Sequence, residues 1–152
     1  SGIQTAGNIF AFEKVLKTEI ESIIHKEIER YRIQFKNSKE GFIKNWPNSY
    51  VIDGWLICMQ SGGKLDFHMH DTGWLTGSIY INVPPKLNPD SGSLVLCKGD
   101  NLDALGIEER QKSIIDVVTG SLCLFPASLH HCTVPFEQEE NRIVLAFDVK
   151  PT

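Results

Sequence analysis

The sequence of 152 residues has no block of basic residues and no long apolar run. Its formal net charge is −4 at pH 7, and without a basic patch we expect no nucleic-acid partner. No apolar stretch approaches the ~20 residues that span a membrane. No signal peptide is evident either, so we expect a cytoplasmic protein without membrane contacts. The start at Ser1-Gly2 looks like a cloning remnant and is consistent with a domain taken from a longer protein.

The four cysteines are scattered without CxxC spacing. We therefore expect buried or free thiols in a reducing compartment. Cys132 directly follows His131; in a strand its side chain would point to the opposite face, so we do not predict it as a metal ligand. With 41% hydrophobic and 22% charged residues, the composition is that of one ordinary globular domain over residues 1–152.

The histidines, in contrast, are concentrated in two segments. Four of the five are His68, His70, His130 and His131, and histidine is the commonest transition-metal ligand among side chains. His68 and His70 are two residues apart, so in a strand both side chains point to the same face. We predict a mononuclear metal between this strand and the segment that carries His130 and His131. Three N/O ligands with open positions are typical of a catalytic metal site.

The ligand set has two open choices at this stage. Many non-haem iron sites use two histidines and one carboxylate, so Asp71 is an alternative to His70. His130 and His131 would alternate in a strand, so one of them is the expected ligand and the other a bystander or an outer partner.

Two further residues are candidates for binding an acid. Arg142 begins an alternating apolar run and could hold a carboxylate bidentately beside the metal. The alternative is a surface arginine that pairs with Glu139 or Glu140. Tyr80 belongs either to the core or to the same acid-binding site, where its hydroxyl could contact the bound acid.

The chain order predicts one helix followed by a β domain. Residues 1–10 are expected to be a loose leader, and 11–35 a helix whose apolar residues recur at three- and four-residue steps. That stripe is expected to pack outside a sheet; packing on a second subunit, and hence a homodimer, is the alternative. A loop with a short strand near Phe42–Trp46 follows.

About eight short strands with frequent turns are then expected over residues 50–150, including one at Lys64–His70. Between them, Lys98–Lys112 is expected to be a surface excursion with one helical turn near Asp103–Gln111. Many short strands separated by turn residues predict a mostly β fold of the sandwich or jelly-roll type.

Three motifs add a family resemblance. They are WLTGSIYINVP after the H-x-H pair, GSLCLFPASLHHCTVPF, and ENRIVLAFDV. With these, residues 50–150 resemble the 2-oxoglutarate/Fe(II)-dependent oxygenase superfamily, in particular the "putative 2OG-Fe(II) oxygenase" family. The resemblance implies a double-stranded β-helix, the jelly-roll or cupin-like barrel. The N-terminal helix, expected from its apolar stripe to pack outside the sheet, is compatible with this fold but is not part of the resemblance.

The resemblance also implies roles for individual residues. His68 and His70 fill the H-x-H positions, and His131 fills the distal histidine position. Arg142 stands where the family grips the far carboxylate of 2-oxoglutarate, and Tyr80 where a strand tyrosine helps to hold it.

Three positions depart from the superfamily pattern. His70 stands where aspartate is common, Val144 where serine or threonine is common, and Asp148 where asparagine is common. The site would then have three histidines, or Asp71 in place of His70, or only two firmly bound protein ligands.

The implied function is an Fe(II)- and 2-oxoglutarate-dependent oxygenase that hydroxylates a C–H bond, with succinate and CO2 as co-products. The substrate, a small molecule or a protein, is not identified by the sequence. Two alternatives stay open: a cupin-type metal enzyme that does not use 2-oxoglutarate, and a non-catalytic jelly-roll module with a structural zinc.

Overall fold

Two antiparallel sheets form the body of the protein, in a computed structural model that describes residues 2–12, 14–98 and 111–152. Their strands are β1 (Gly2–Gln4), β2 (Tyr50–Met59), β3 (Leu75–Asn82), β4 (Leu94–Lys98), β5 (Gln111–Ile115), β6 (Leu122–Pro126), β7 (His130–Thr133) and β8 (Arg142–Pro151). The larger sheet has the order β1-β2-β8-β3-β6, and the smaller has the order β5-β4-β7.

The helices precede β2. They are α1 (Ile9–Phe12), a π-helical stretch Leu16–Ile20, α2 (Glu21–Gln34) and α3 (Gly41–Lys44). Ile24 and Ile28 of α2 are fully buried, in one apolar cluster with Phe10 of α1 and Phe147 of β8. A Cβ atom on Gly54 would lie 2.4 Å from the ring of Phe10, so glycine is required where α1 rests on the sheet. Within the described residues, no helix is long and apolar enough to cross a membrane.

The space between the two sheets is closed by a second apolar cluster. It joins Tyr80, Phe125 and Val144 of the larger sheet to Leu94 of the smaller one. Strand β8 separates the two clusters, because its side chains alternate between the helix side and the side that faces the smaller sheet. All four cysteines are free thiols.

Three sequence predictions differ from the structure. The segment predicted as a loose leader contains β1, which pairs with β2, and the first two residues of α1. The short strand predicted near Phe42–Trp46 is wrong: this segment is helix α3, in which Phe42 stacks on Trp74 at 4.9 Å. Helix here lets Phe42 and Trp46 pack together against Tyr31 of α2.

The third difference concerns Lys64–His70, which is not a continuous strand. It has one bridge, between His68 and His131. Thr133 N–H donates to the Leu65 carbonyl at 3.1 Å, so four residues, Leu65–His68, lie opposite the three residues His131–Thr133, and this irregular register interrupts the ladder. The excursion predicted at Lys98–Lys112 divides: Lys98 ends β4, residues 111–112 begin β5, and the predicted helical turn lies almost wholly outside the described residues.

Candidate metal centre

His68, His70 and His131 come together between the two sheets. Each offers one ring nitrogen, and these three atoms lie within 4.8 Å of one another. The backbone fixes two of the residues directly: His68 N–H donates to the His131 carbonyl at 3.0 Å, and His131 N–H donates to the His68 carbonyl at 2.8 Å. His70 N–H donates to the Ala127 carbonyl at 3.0 Å. One bridge and one loop contact thus replace the predicted strand in aligning the pair.

The hydrogen bonds of the three rings define which nitrogen is available. Nδ1 of His68 contacts the carbonyl of Asp66 at 2.6 Å, and Nδ1 of His131 contacts the carbonyl of Leu129 at 3.0 Å. A carbonyl oxygen can only accept, so both Nδ1 atoms carry the proton. Nε2 is therefore the nitrogen that each of these two rings can offer to a metal. This is the arrangement by which proteins orient metal-binding histidines.

His70 has a different partner, because its Nδ1 contacts Oδ1 of Asp148 at 2.7 Å. Both side chains are largely buried, at 14% and 8% exposure. A carboxylate accepts this hydrogen bond as a carbonyl would, and Nε2 of His70 is likewise the available nitrogen.

Burial keeps His131 neutral. Desolvation lowers the pKa of His131 to about 4, against the opposing effect of the hydrogen bond to the Leu129 carbonyl; the nearby rings of His68 and His70 lower it further. At neutral pH its ring is therefore an electron-pair donor and needs no deprotonation to bind a cation.

The remaining candidate ligands lie elsewhere. The ring of His130 stacks on Phe67 with centroids 4.9 Å apart, away from the three-histidine group, as alternation in β7 requires. Asp71 is exposed in the bend after His70 and does not belong to the group. Trp55 stacks against His70 at 6.0 Å and walls the site on the β2 side.

Arg142 and Tyr80 share one cavity of about 290 Å³ with the three histidines. Arg142 is 3% exposed and lies over the Tyr80 ring, 5.3 Å from its centroid. Its Nη2 donates to the Gly92 carbonyl at 3.3 Å, whereas its buried Nε has no hydrogen-bond partner among the described residues. In the described ranges no carboxylate pairs with it, so Glu139 and Glu140 do not neutralise this cation.

Burial shifts the pKa values of both residues. Desolvation lowers the pKa of Arg142, and it raises the pKa of Tyr80 to about 12. Tyr80 is thus a neutral phenol at pH 7, beside a buried guanidinium that retains an unused donor. Such a pair favours an anion with several acceptor oxygens.

The contact of Asp148 with His70 is the feature that the sequence interpretation missed. The signal was present: Arg142, Val144, Ala146 and Asp148 alternate along β8 and so share one face. The first three line the cavity, and Asp148 ends the same row. In the sequence, Asp148 stands out only because the family commonly has asparagine there. It lies 78 positions after His70, so the sequence alone does not predict their contact.

The architecture and the site together define a class: a double-stranded β-helix protein with a candidate mononuclear metal site between its sheets. The model of the family described as "Putative 2OG-Fe(II) oxygenase" matches residues 53–148, and the chain belongs to this family. The resemblance found in the motifs is confirmed. A comparison with curated proteins gave no significant match.

Solved structures show the same fold at low sequence identity. HygX from Streptomyces hygroscopicus, solved with nickel and 2-oxoglutarate, superposes with a TM-score of 0.62 and 13% identity over 100% of this chain and 70% of that one. A Pseudomonas putida prolyl-4-hydroxylase gives 0.52 and 16%, over 66% and 52%. The epimerase SnoN of nogalamycin biosynthesis, described as dependent on alpha-ketoglutarate, gives 0.53 and 13%, over 67% and 47%. The chain thus spans about half the length of the last two.

Proposed function

We propose that this protein is an Fe(II)- and 2-oxoglutarate-dependent oxygenase. In this proposal His68, His70 and His131 hold the metal, and Arg142 binds the distal carboxylate of 2-oxoglutarate, with Tyr80 beside it. The observation that carries the proposal is that one cavity holds two kinds of binding group. Three imidazole nitrogens are available for a metal, and a buried guanidinium without a carboxylate partner in the described residues is available for an anion.

The residues present fit both groups. Three neutral imidazoles on one side of an ion leave its other positions open, as a catalytic metal requires. The guanidinium of Arg142 lies over the Tyr80 ring and keeps an Nε–H that is unpaired among the described residues, so it could donate to a carboxylate in the same cavity. When bound, iron and 2-oxoglutarate would activate dioxygen, which is the oxidant: one oxygen atom would enter succinate as 2-oxoglutarate loses CO2, and the other would enter the substrate.

The protein's own part is to bind, orient and exclude water. Val144, Leu94 and Phe125 give the cavity apolar walls between its polar groups. Between apolar walls of this kind, the electrostatic attraction between Arg142 and a carboxylate is screened less than it would be in water. We propose hydroxylation of a C–H bond as the reaction. The fold does not select it, since the fold neighbours include both a hydroxylase and an epimerase.

The test is an anaerobic titration with Fe(II) and then 2-oxoglutarate, followed by the weak visible band of the ternary complex. We expect a band in the unsubstituted protein. In Arg142→Met the affinity for 2-oxoglutarate should fall by roughly 30-fold or more, since a buried charged contact is removed. Lys150→Met is the matched control: Lys150 is a cation of the same strand, but it pairs with Asp53 outside the cavity.

The alternatives give different results. If Fe(II) binds, but adding 2-oxoglutarate produces no visible band and does not change the affinity of the protein for Fe(II), the result favours a metal enzyme of the cupin type. A tightly bound zinc with four protein ligands and no exchangeable position would instead identify a structural metal module.

A further inference from the structure

Asp148 distinguishes this site from a plain group of three histidines. Its side chain is 8% exposed, and its Oδ1 lies 2.7 Å from Nδ1 of His70. The acceptors of the other two rings are backbone carbonyls, which are neutral. One of the three histidines is therefore hydrogen-bonded to a charged group, and a hydrogen bond to an ionised acceptor is about twice as strong as a neutral one.

This contact matters because it changes the total charge around the metal position. Three neutral imidazoles contribute no charge, whereas two histidines and one carboxylate contribute −1 to the ion they hold. A carboxylate bonded to the far nitrogen of a ligating histidine makes the ring a more basic donor and fixes its orientation. Asp148 thus adds −1 to the site, one imidazole ring away from the bound cation.

We propose that Asp148 is a positioning residue that, through His70, supplies the negative charge that a directly bound carboxylate would otherwise provide. This inference rests on the proposed function only in requiring a cation between the three histidines. It explains how a histidine at position 70 serves in a site of this class without Asp71, which is exposed and outside the group.

The backbone supports the geometry of the pair. Asp148 lies in the middle of the sheet, between Asp53 of β2 and Thr76 of β3 in register. A Cβ atom on Gly73 would lie 3.6 Å from the carboxyl carbon of Asp148 and 2.8 Å from Cβ of Ala127. The turn after His70 is therefore packed closely on Ala127 and lies beside the Asp148 carboxylate, with no room for a side chain at position 73.

The experiment compares Asp148→Asn with the unsubstituted protein. Asparagine keeps the size and an acceptor oxygen but removes the charge. We expect the Fe(II) affinity to fall about 10- to 100-fold, as for other outer partners of metal ligands. In the ternary complex with 2-oxoglutarate, the visible band should move to shorter wavelength, because a metal with less negative charge nearby gives up an electron less readily. A residue with only a structural role would not shift this band.

The matched control is Asp53→Asn. Asp53 is the cross-strand partner of Asp148, but its carboxylate pairs with Lys150, so metal affinity and band position should not change. Equal Fe(II) affinity and an unshifted band in Asp148→Asn would overturn the inference while leaving the metal centre in place. Failure of the unsubstituted protein to bind Fe(II) would overturn the metal centre and this inference with it.

A second measurement needs no variant. In Zn(II)-loaded, ¹⁵N-labelled protein, the ring nitrogen shifts of His70 report which nitrogen bears the proton. We expect the proton on Nδ1, in a hydrogen bond to Asp148. A proton on Nε2 would contradict the proposal, even if the substituted protein failed to fold.

Discussion

The two faces of strand β8 have different roles: one packs in the apolar core and the other faces the candidate metal site. On one face Leu145, Phe147 and Val149 pack in the apolar cluster that includes helix α2. On the other, Arg142, Val144, Ala146 and Asp148 follow one another toward the smaller sheet, and the row has a cation at one end and a carboxylate at the other. The alternation of a single strand thus separates the residues that hold the fold from those proposed to perform the chemistry.

The two ends of the inner row also differ. Asp148 has its partner inside the protein, in His70. Arg142 donates to the Gly92 carbonyl and lies over the Tyr80 ring, but its buried Nε has no partner within the described part of the chain. Buried charges are usually paired. The Asp148 end of the row therefore has its partner within the protein, and at the Arg142 end one buried donor, unpaired in the described ranges, stays free for the carboxylate that we propose it binds.

The largest effect is expected for a substitution in the histidine group. His131→Ala should weaken Fe(II) binding well beyond the ~10–100-fold that outer partners cause, because it removes a donor atom. Fe(II) or Co(II) titration measures this. His130→Ala is the control, since His130 is adjacent on β7 but stacks on Phe67. Equal losses in the two variants would refute the assignment of His131.

Phe147→Ala tests the other face of β8. Phe147 is fully buried against the helices, so we expect a loss of about 3–5 kcal/mol in the free energy of unfolding. Denaturant titration of the metal-free protein measures this loss. The fraction that stays folded should bind Fe(II) with unchanged affinity. A change in affinity at full folding would show that the two faces are coupled.

Arg142→Met should have the opposite signature. Its effect on 2-oxoglutarate binding is described above, but the free energy of unfolding should stay the same or rise by about 1 kcal/mol, because hydrophobic replacement of a buried charged group is often neutral or stabilising. The same denaturant titration gives the value. A loss comparable to that of Phe147→Ala would mean that Arg142 stabilises the fold rather than receiving a ligand.

The smallest effect is expected at Asp66. Its backbone carbonyl accepts from His68, while its exposed side chain pairs with Lys64. Asp66→Ala keeps the carbonyl, and exposed ion pairs contribute little, so Fe(II) affinity should not change. Asp148→Asn and Asp66→Ala each remove a carboxylate near a histidine that we propose as a metal ligand, so a comparable effect in both would argue against the special role of Asp148.

The sequence predicted much of this comparison, and the reasons are local. The period of two in β8 placed Arg142 on the opposite face from the apolar residues Leu145 and Phe147. The H-x-H spacing placed two rings together, although the segment proved to be a single bridge rather than a strand.

The features that the sequence did not predict depend on contacts between residues that are distant in the chain. His70 and Asp148 are separated by 78 positions, and no pattern within a strand specifies which loop packs on it. The pairing of β1 with β2 was missed for the same reason. Helix α3 was missed because Phe42 and Trp46 have strand-like propensity, which aromatic packing against α2 and Trp74 overrides.

The most direct test of the central claim is a crystal structure of the protein with a divalent metal and 2-oxoglutarate, using anomalous scattering to locate the metal. We expect one metal bonded to Nε2 of His68, His70 and His131, with the distal carboxylate of 2-oxoglutarate on the guanidinium of Arg142. A metal at any other set of side chains, or 2-oxoglutarate bound away from Arg142, would contradict it.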